Sequence, residues 1–300
     1  MTFFSGLMDP KIIKLEKSKS YFYDRGWIIE PKISGRRIQA WINDNKVQFA
    51  GRYGIEGRED LNALNMKLRH LADELRAMKI PNGTLIDGEV HIPGLPFGAA
   101  KVINSNPDDA ITYQQEVGFL RYTLFDAMLY RNIPVYESEL SSRFQTLNVI
   151  INESKHVDVI KRLPNDGSLT WDHVTLMGLE GLVFKDIDSL YYEHRSKSWR
   201  KLKVSESYDA IITGMKLSAS GERIASFEAA QYIKGKITHV ANVGNIPSHI
   251  AKDIEGAEQL IGQVLQFRAD MRTDKSYKNP RFECFRDDKL PTSCLWENEE

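Results

Sequence analysis

Apolar residues recur along this chain with different spacings, and each spacing predicts an element. In "WIIEPKISGRRIQAWINDNKVQFAGRYG" (27–54) short β-rich runs alternate with turns, and "NDN" predicts a hairpin between two of them. Trp27, Ile28 and Ile29 precede Lys32, and Ile38, Ala40 and Trp41 follow it, so the lysine reads as part of a short turn between strands. Leu61, Leu64, Leu68, Leu71, Leu75 and Met78 recur at three and four with charge between them, which predicts one helix over 59–78. Residues 137–152 and 167–179 also read as helices. "GTLIDGEVHIPG" is a strand bounded by glycines, and "LRYTLFDAMLY" (120–130) is apolar enough for a buried central strand. "GLVFKDID" and "SWRKLKV" complete the strands of the first two thirds.

After Val204 the texture changes. "SYDAIITGMKL", "IASFEAAQYIKGKITHVANVG" and "GQVLQFRADM" are short β runs separated by Gly, Ser and Asn, the spacing of a small all-β barrel. A boundary near residues 204–206 divides the chain into an α+β domain (1–204) and a β-barrel domain (205–300), both of ordinary domain size.

Composition narrows the class. The apolar and charged fractions, 42% and 27%, are those of a globular protein. No apolar run is long enough to span a bilayer, so no membrane partner is expected. The N-terminus lacks a basic region ahead of an apolar one, so no secretory signal is expected, and Cys284 and Cys294 are expected as thiols. The seven histidines are scattered without zinc-site spacing. A formal net charge of -1 argues against a generic polyanion binder, yet "RSKSWRKLK" (195–203) holds five cations and no acid. Basic patches on a neutral chain can hold a phosphate backbone.

Candidate chemistry is spread along the chain: Lys32 in Lys-x-x-Gly, Arg52 in "AGRYG", Glu89 in "LIDGEV", Glu180 and Lys185 in "LEGLVFKD", and Lys201 and Lys203 in "SWRKLK". On a strand the last two project from one face. Stacked like charges repel, so either an anion lies between them or the lysines guard an edge strand.

In this order, followed by a β-barrel, the elements resemble the covalent nucleotidyltransferase superfamily. Within it they are most similar to the ATP-dependent DNA ligases, in particular the minimal two-domain enzymes of bacteriophages. The resemblance runs from about residue 27 to 289. It implies an α+β fold, with a nucleotidyltransferase (ATP-grasp-like adenylation) domain of antiparallel sheets and helices followed by an OB-fold barrel. It also implies ATP and Mg2+ as cosubstrate and cofactor, nicked double-stranded DNA as partner, a monomer, and a cytoplasmic location.

By that resemblance Lys32 takes up AMP. Glu30 reads the adenine amino group, Arg52 and Glu89 hold the ribose, and Phe125 stacks on the base. Arg37, Lys185, Lys201 and Lys203 would converge on the phosphates, lowering the pKa of the attacking lysine and neutralising charge at the reacting phosphorus. Glu180, with Glu89 second, would hold magnesium. In "NPRFECFRDDK", Arg286 and Lys289, with Arg281 a weaker candidate, would orient pyrophosphate. The barrel would then swing about a hinge near Val204–Glu206. Asp87 is expected to be structural, and Trp199 to pack at the domain edge.

Two positions depart from the pattern. Ser34 stands where DNA ligases mostly have aspartate, and Cys284 where a basic residue is common. Ser34 keeps an RNA ligase open as the alternative, and Glu30 weighs against a capping guanylyltransferase. A catalytically silent nick-binding accessory protein would be expected to have lost the lysine or its partners, all of which are present.

Overall fold

Trp27–Pro31 and Arg36–Asn43, the strands expected on either side of Lys32, do not pair with each other. They belong to different sheets. The computed structural model describes residues 7–51, 60–95, 98–177, 179–204 and 206–296. It divides into two units, Met1–Lys203 and Val204–Glu300.

The strands of the first unit are β1 (Asp9–Ile12), β2 (Trp27–Pro31), β3 (Arg36–Asn43), β4 (Lys46–Gly51) and β5 (Thr84–His91). They continue with β6 (Arg121–Tyr130), β7 (Ile133–Pro134), β8 (Val157–Val159), β9 (Gly181–Asp186) and β10 (Arg195–Lys203). One sheet has the order β1-β10-β9-β2, with β1 parallel to β10 and the other pairs antiparallel. The other runs β4-β3-β5-β6-β7, with β8 parallel beside β6. The "NDN" turn closes β3 onto β4, with Asp44 and Asn45 at φ 48° and 58°. Two consecutive positive φ values are what a two-residue hairpin turn requires.

Strand alternation decides what each sheet offers. On β5, Ile86 and Val90 enter a core shared with Leu64, Leu68 and Leu71, all three fully buried. Leu85, Asp87 and Glu89 point the other way by the two-residue period. Leu85 joins a second cluster with Met8, Phe125, Met128, Tyr191 and Trp199. Helices thus cover one face of the larger sheet, and its charged face is left for the site.

The leucine stripe forms two helices rather than one, Leu61–Lys67 and Arg69–Ala77, with Leu68 between them at φ −106° and ψ 18°. The Lys67 carbonyl accepts from the Gln114 side chain at 3.1 Å, and the Leu71 N–H turns to the Leu68 carbonyl instead. A side chain inserted into the ladder breaks it. Helices Gly98–Asn104 and Pro107–Val117 were not anticipated. The second carries a legible start, with Asn106 accepting from the Asp109 N–H at 2.9 Å and Pro107 in the first turn.

The second unit holds β11 (Glu206–Leu217), β12 (Ile224–Ile233), β13 (Lys236–Val243), β14 (Val264–Ala269), β15 (Met271–Arg272), β16 (Tyr277–Lys278) and β17 (Arg281–Phe285). Five of these form a sheet of order β13-β12-β11-β14-β17 around Phe227, Leu265 and Phe267. A closed barrel was expected, but the strand ladders leave this sheet open. Its edges meet only at a parallel bridge, where Gly244 donates to the Pro280 carbonyl at 3.2 Å and accepts from Phe282 N–H at 2.9 Å. Pro280 has no N–H with which to extend the pairing. Cys284 is exposed and Cys294 buried. Among the described residues no helix is long and apolar enough to cross a membrane.

Candidate active site

Residues 32–35 carry the chain from one sheet to the other. The Lys32 N–H donates to the Gly181 carbonyl at 2.8 Å, continuing the β2–β9 ladder by one rung. Gly35 then passes against β5 so closely that a Cβ would lie 2.2 Å from the Val90 carbonyl oxygen and 2.8 Å from Glu89 Cγ. The third residue after Lys32 must therefore be glycine. Gly181 is similarly constrained, at φ +143° with Leu202 oxygen 2.1 Å from a would-be Cβ.

The crossover borders a cavity of about 360 Å³ within the first unit. Lys32, Glu30 and Arg37 line it, together with Glu89, Phe125, Lys185, Trp199 and Lys201. Four ion pairs organise its surroundings. Lys32 Nζ lies 2.9 Å from Glu180 Oε2, and Lys203 Nζ lies 3.6 Å from the other oxygen of that carboxylate. Lys185 Nζ lies 2.6 Å from Glu30 Oε2, with both side chains 2% exposed. Arg37 grips buried Asp87 through Nε and Nη2, and its Nη1 donates to the Met8 carbonyl at 2.6 Å.

Burial sets the electrostatics. It pushes Glu30 and Asp87 above the usual carboxylate range, against the pull of Lys185 and Arg37 respectively. Burial opposes the Arg37 charge, and Asp87 outweighs it, so the guanidinium stays charged. Lys201 is lowered by burial and then by the neighbouring Lys32 and Lys203 ammonium groups. An anion placed among those three lysines would relieve their repulsion.

Glu89 is raised to about 7 by burial, against the attraction of Lys32 and Arg37, while Glu180 adds to the rise. The folded protein therefore keeps a proton between pH 4.5 and 7 that the unfolded chain releases. Stability should fall as pH rises through that window and level off above it. Glu89→Gln removes this contribution, so its thermal midpoint should gain on wild type from pH 4.5 to 7 and hold the gain above. Melting curves in EDTA across that range check this.

The four cations expected at the phosphates fall into two sets. Lys201 and Lys203 flank Lys32, but Lys185 is spent on Glu30 and Arg37 on Asp87. Ion pairing inside a desolvated wall is the physical reason, because an unpaired charge there would be costly. Trp199, expected at a domain edge, is 2% exposed and lines the cavity, with Lys185 Nζ 4.2 Å from its ring centroid. It shares strand parity with Lys201 and Lys203, a signal present in "SWRKLK". Met8 and Tyr191, which brace Arg37, had no such signal. Asp87 is fully buried and paired with Arg37. Ser34 sits half-buried in the crossover.

Arg52 lies outside the described residues. In the second unit Arg286 Nη1 lies 3.3 Å from Asp209 and its Nε 2.7 Å from Asp288, and Lys289 also pairs with Asp209. Arg281 pairs with Asp270 at 2.5 Å.

Among the described residues no group of three or more His, Cys, Asp or Glu could hold a metal. Glu89 and Glu180 are nonetheless a fitting donor set for magnesium, which takes one or two carboxylates and completes its shell with phosphate and water. Glu89 feels the charge of Glu180, so the two carboxylates bear on the same region.

A family model, the ATP dependent DNA ligase domain, matches residues 11–203. The chain belongs to the ATP-dependent DNA ligase family. It is 25% identical over 201 residues to the SPbeta prophage-derived DNA ligase-like protein LigB of Bacillus subtilis, covering 67% of this chain and 69% of that protein. It is 26% identical over 195 residues to the multifunctional non-homologous end joining protein LigD of Pseudomonas aeruginosa, where 63% of this chain matches 21% of the relative. Solved structures share the fold. A Lig E DNA ligase, studied for DNA binding with a minimal scaffold, superposes with TM-score 0.67 at 18% identity, over 94% of this chain and 99% of that one. The ligase domain of LigD from M. tuberculosis gives 0.53 at 18% identity, over 98% and 100%. The ligase-family domain thus coincides with the unit that holds the cavity.

Proposed function

We propose that this ligase-family protein seals nicks in duplex DNA through a lysyl-AMP intermediate, with ATP as the adenylate donor. One observation carries the reading. A single cavity brings together Lys32, the cationic Lys201, the Phe125 ring and a Glu30 oxygen that is buried without a partner. Those are a nucleophile, a phosphate contact, a stacking surface and an acceptor for a base amino group.

In the first step the Lys32 nitrogen attacks the α-phosphorus of ATP. An N–P bond forms as the P–O bond to pyrophosphate breaks. An ammonium has no lone pair to offer, so the Lys32–Glu180 pair must part or hand its proton over first. Lys201 and Lys203 take up the negative charge building on the phosphate. AMP then passes to the 5′-phosphate at a nick, freeing the lysine. The adjacent 3′-hydroxyl attacks that phosphorus, loses its proton and displaces AMP. Magnesium, when bound, supplies further neutralisation of the phosphates, and Glu180 and Glu89 are the residues that would hold it.

The second unit is read as an OB-type module that grips nucleic acid. Its strand order, the parallel bridge from Gly244 to Arg281 and the helical segment between β13 and β14 support that reading. Arg286 and Lys289 would meet pyrophosphate only after releasing Asp209.

Incubation with magnesium and ATP labelled on the α-phosphate should leave label on denatured protein, whereas labelled GTP should leave none. Nicked DNA duplex should then be joined at the expense of that label. Joining of nicked RNA alone would move the reading to an RNA ligase, and absence of label from ATP would sink it.

A further inference from the structure

Lys185 has no evident task among the phosphates. Its ammonium lies 2.6 Å from Glu30 Oε2, 3.4 Å from the Phe125 carbonyl, 4.5 Å from the Phe125 ring centroid and 4.2 Å from that of Trp199. The aromatic faces and the carboxylate together satisfy a buried cation. Across the pair, Glu30 Oε1 is buried and has no hydrogen-bond partner. Unpaired buried oxygens are rare and costly, and this one belongs to a residue lining the cavity, whose wall also includes the Phe125 and Trp199 side chains. The missing partner is therefore a donor carried by a ligand of that cavity.

We infer that Lys185 is a specificity-determining positioning residue that makes the cavity select a 6-amino purine over a 6-oxo purine. It does so by holding Glu30 as a carboxylate, with Oε2 occupied and Oε1 kept as an acceptor only. An exocyclic amino group donates to that oxygen. A 6-oxo group presents a lone pair to it and is repelled. The inference rests on the nucleotide reading above and assigns to Lys185 the base, rather than the triphosphate.

The charges around Glu30 support this division of labour. Burial favours its protonated form, Lys185 opposes that most strongly, Arg162 opposes it more weakly, and Asp126 on β6 reinforces burial. Arg162 is exposed, its guanidinium 3.6 Å from the Phe144 ring centroid, and Asp126 is itself tied to Arg143. Without Lys185 the carboxyl would take up a proton. A protonated carboxyl both donates and accepts, so it meets either purine equally well.

Calorimetric titration of the full chain with ATP and with inosine triphosphate, in EDTA, reads the effect directly. The two nucleotides share ribose and triphosphate and differ only along one purine edge, N6 amino with an accepting N1 against O6 with N1–H, so any contact to the triphosphate cancels in the ratio. Wild type should bind ATP roughly tenfold or more tightly than inosine triphosphate, the worth of one hydrogen bond to a charged acceptor. In Lys185→Met the ratio should collapse toward one at acidic pH and recover as pH rises and Glu30 loses its proton. Lys185→Arg, which keeps the cation, should preserve the preference at every pH. In a Glu30→Gln background, Lys185→Met should leave the ratio unchanged.

An equal loss of affinity for both nucleotides in Lys185→Met, with the ratio intact, would overturn the inference and return Lys185 to the phosphates or to the scaffold. So would loss of the preference in Lys185→Arg, a result that stands even if the methionine variant does not fold. Wild type that prefers ATP yet gains no label would sink the ligase chemistry and leave this inference standing. Binding of neither nucleotide sinks both.

Discussion

The Lys32→Ala protein should gain no covalent label from α-labelled ATP, a loss of roughly a thousandfold or more against wild type. The expectation follows from position as well as residue type. Lys32 is the cavity lysine paired with Glu180, in a crossover fixed by Gly35 and by the hydrogen bond to Gly181. Lys201 and Lys203 lie nearby but leave from β10, so neither can take the same line of attack. Lys32→Arg should fail as well, because a guanidinium stays protonated and offers no nitrogen lone pair. Removing Lys32 does not strand its partner, since Glu180 keeps Lys203 at 3.6 Å. The variant should therefore melt close to wild type, which separates lost chemistry from lost fold. Label appearing on the alanine variant would move the nucleophile elsewhere.

The largest loss of stability should come from Arg143→Ala. This arginine and Asp126 are both fully buried and joined by two bonds, at 2.8 Å and 3.0 Å. The remaining Nη1 donates to the carbonyls of Ser138 and Ser189, each at 2.8 Å. One guanidinium thus ties β6, the start of the helix Leu140–Ile150 and the loop after β9. Alanine leaves the buried Asp126 carboxylate without its cation, holding only the Ala127 N–H, and takes a donor from the Ser138 and Ser189 carbonyls, at a cost of about 3–5 kcal/mol. Urea denaturation should register that loss. The Arg143→Ala/Asp126→Ala double variant should recover part of it, because the orphaned charge goes with its partner. A loss near zero for the single variant would mean that water reaches Asp126.

The chemistry-bearing residues were more legible in the sequence than the scaffold that aims them. Lys32, Glu180, Lys185, Lys201 and Lys203 stand out because glycine and charge interrupt strand patterns where local packing gives no reason for it. The hairpin at Asp44–Asn45 and the central strand at 121–130 were readable because turn chemistry and alternation are local properties. Pairing was not. The two strands around Lys32 look like neighbours in the sequence yet enter different sheets, and nothing in residues 32–35 records that. Gln114 splits the leucine helix from 47 positions away, beyond the reach of periodicity. Which carboxylate each cation meets is settled in space, so the pairing of Lys185 with Glu30 and of Arg37 with Asp87 could not be read from the sequence. Trp199 is different. Its parity with two lysines was visible, and a preference for tryptophan at domain edges hid it.

Glu30 and Lys32 sit at the end of β2, and Glu180 and Lys185 bracket its antiparallel neighbour β9, glutamate before lysine in each. Sheet geometry alone tolerates sliding one strand by two residues, because the buried faces stay buried. Here such a slip in one direction keeps Glu30 beside Lys185 but carries Lys32 away from Glu180, and in the other it keeps Lys32 near Glu180 but carries Glu30 away from Lys185. Only the native offset, among the three, keeps both ion pairs, so the two together act as an alignment key during folding.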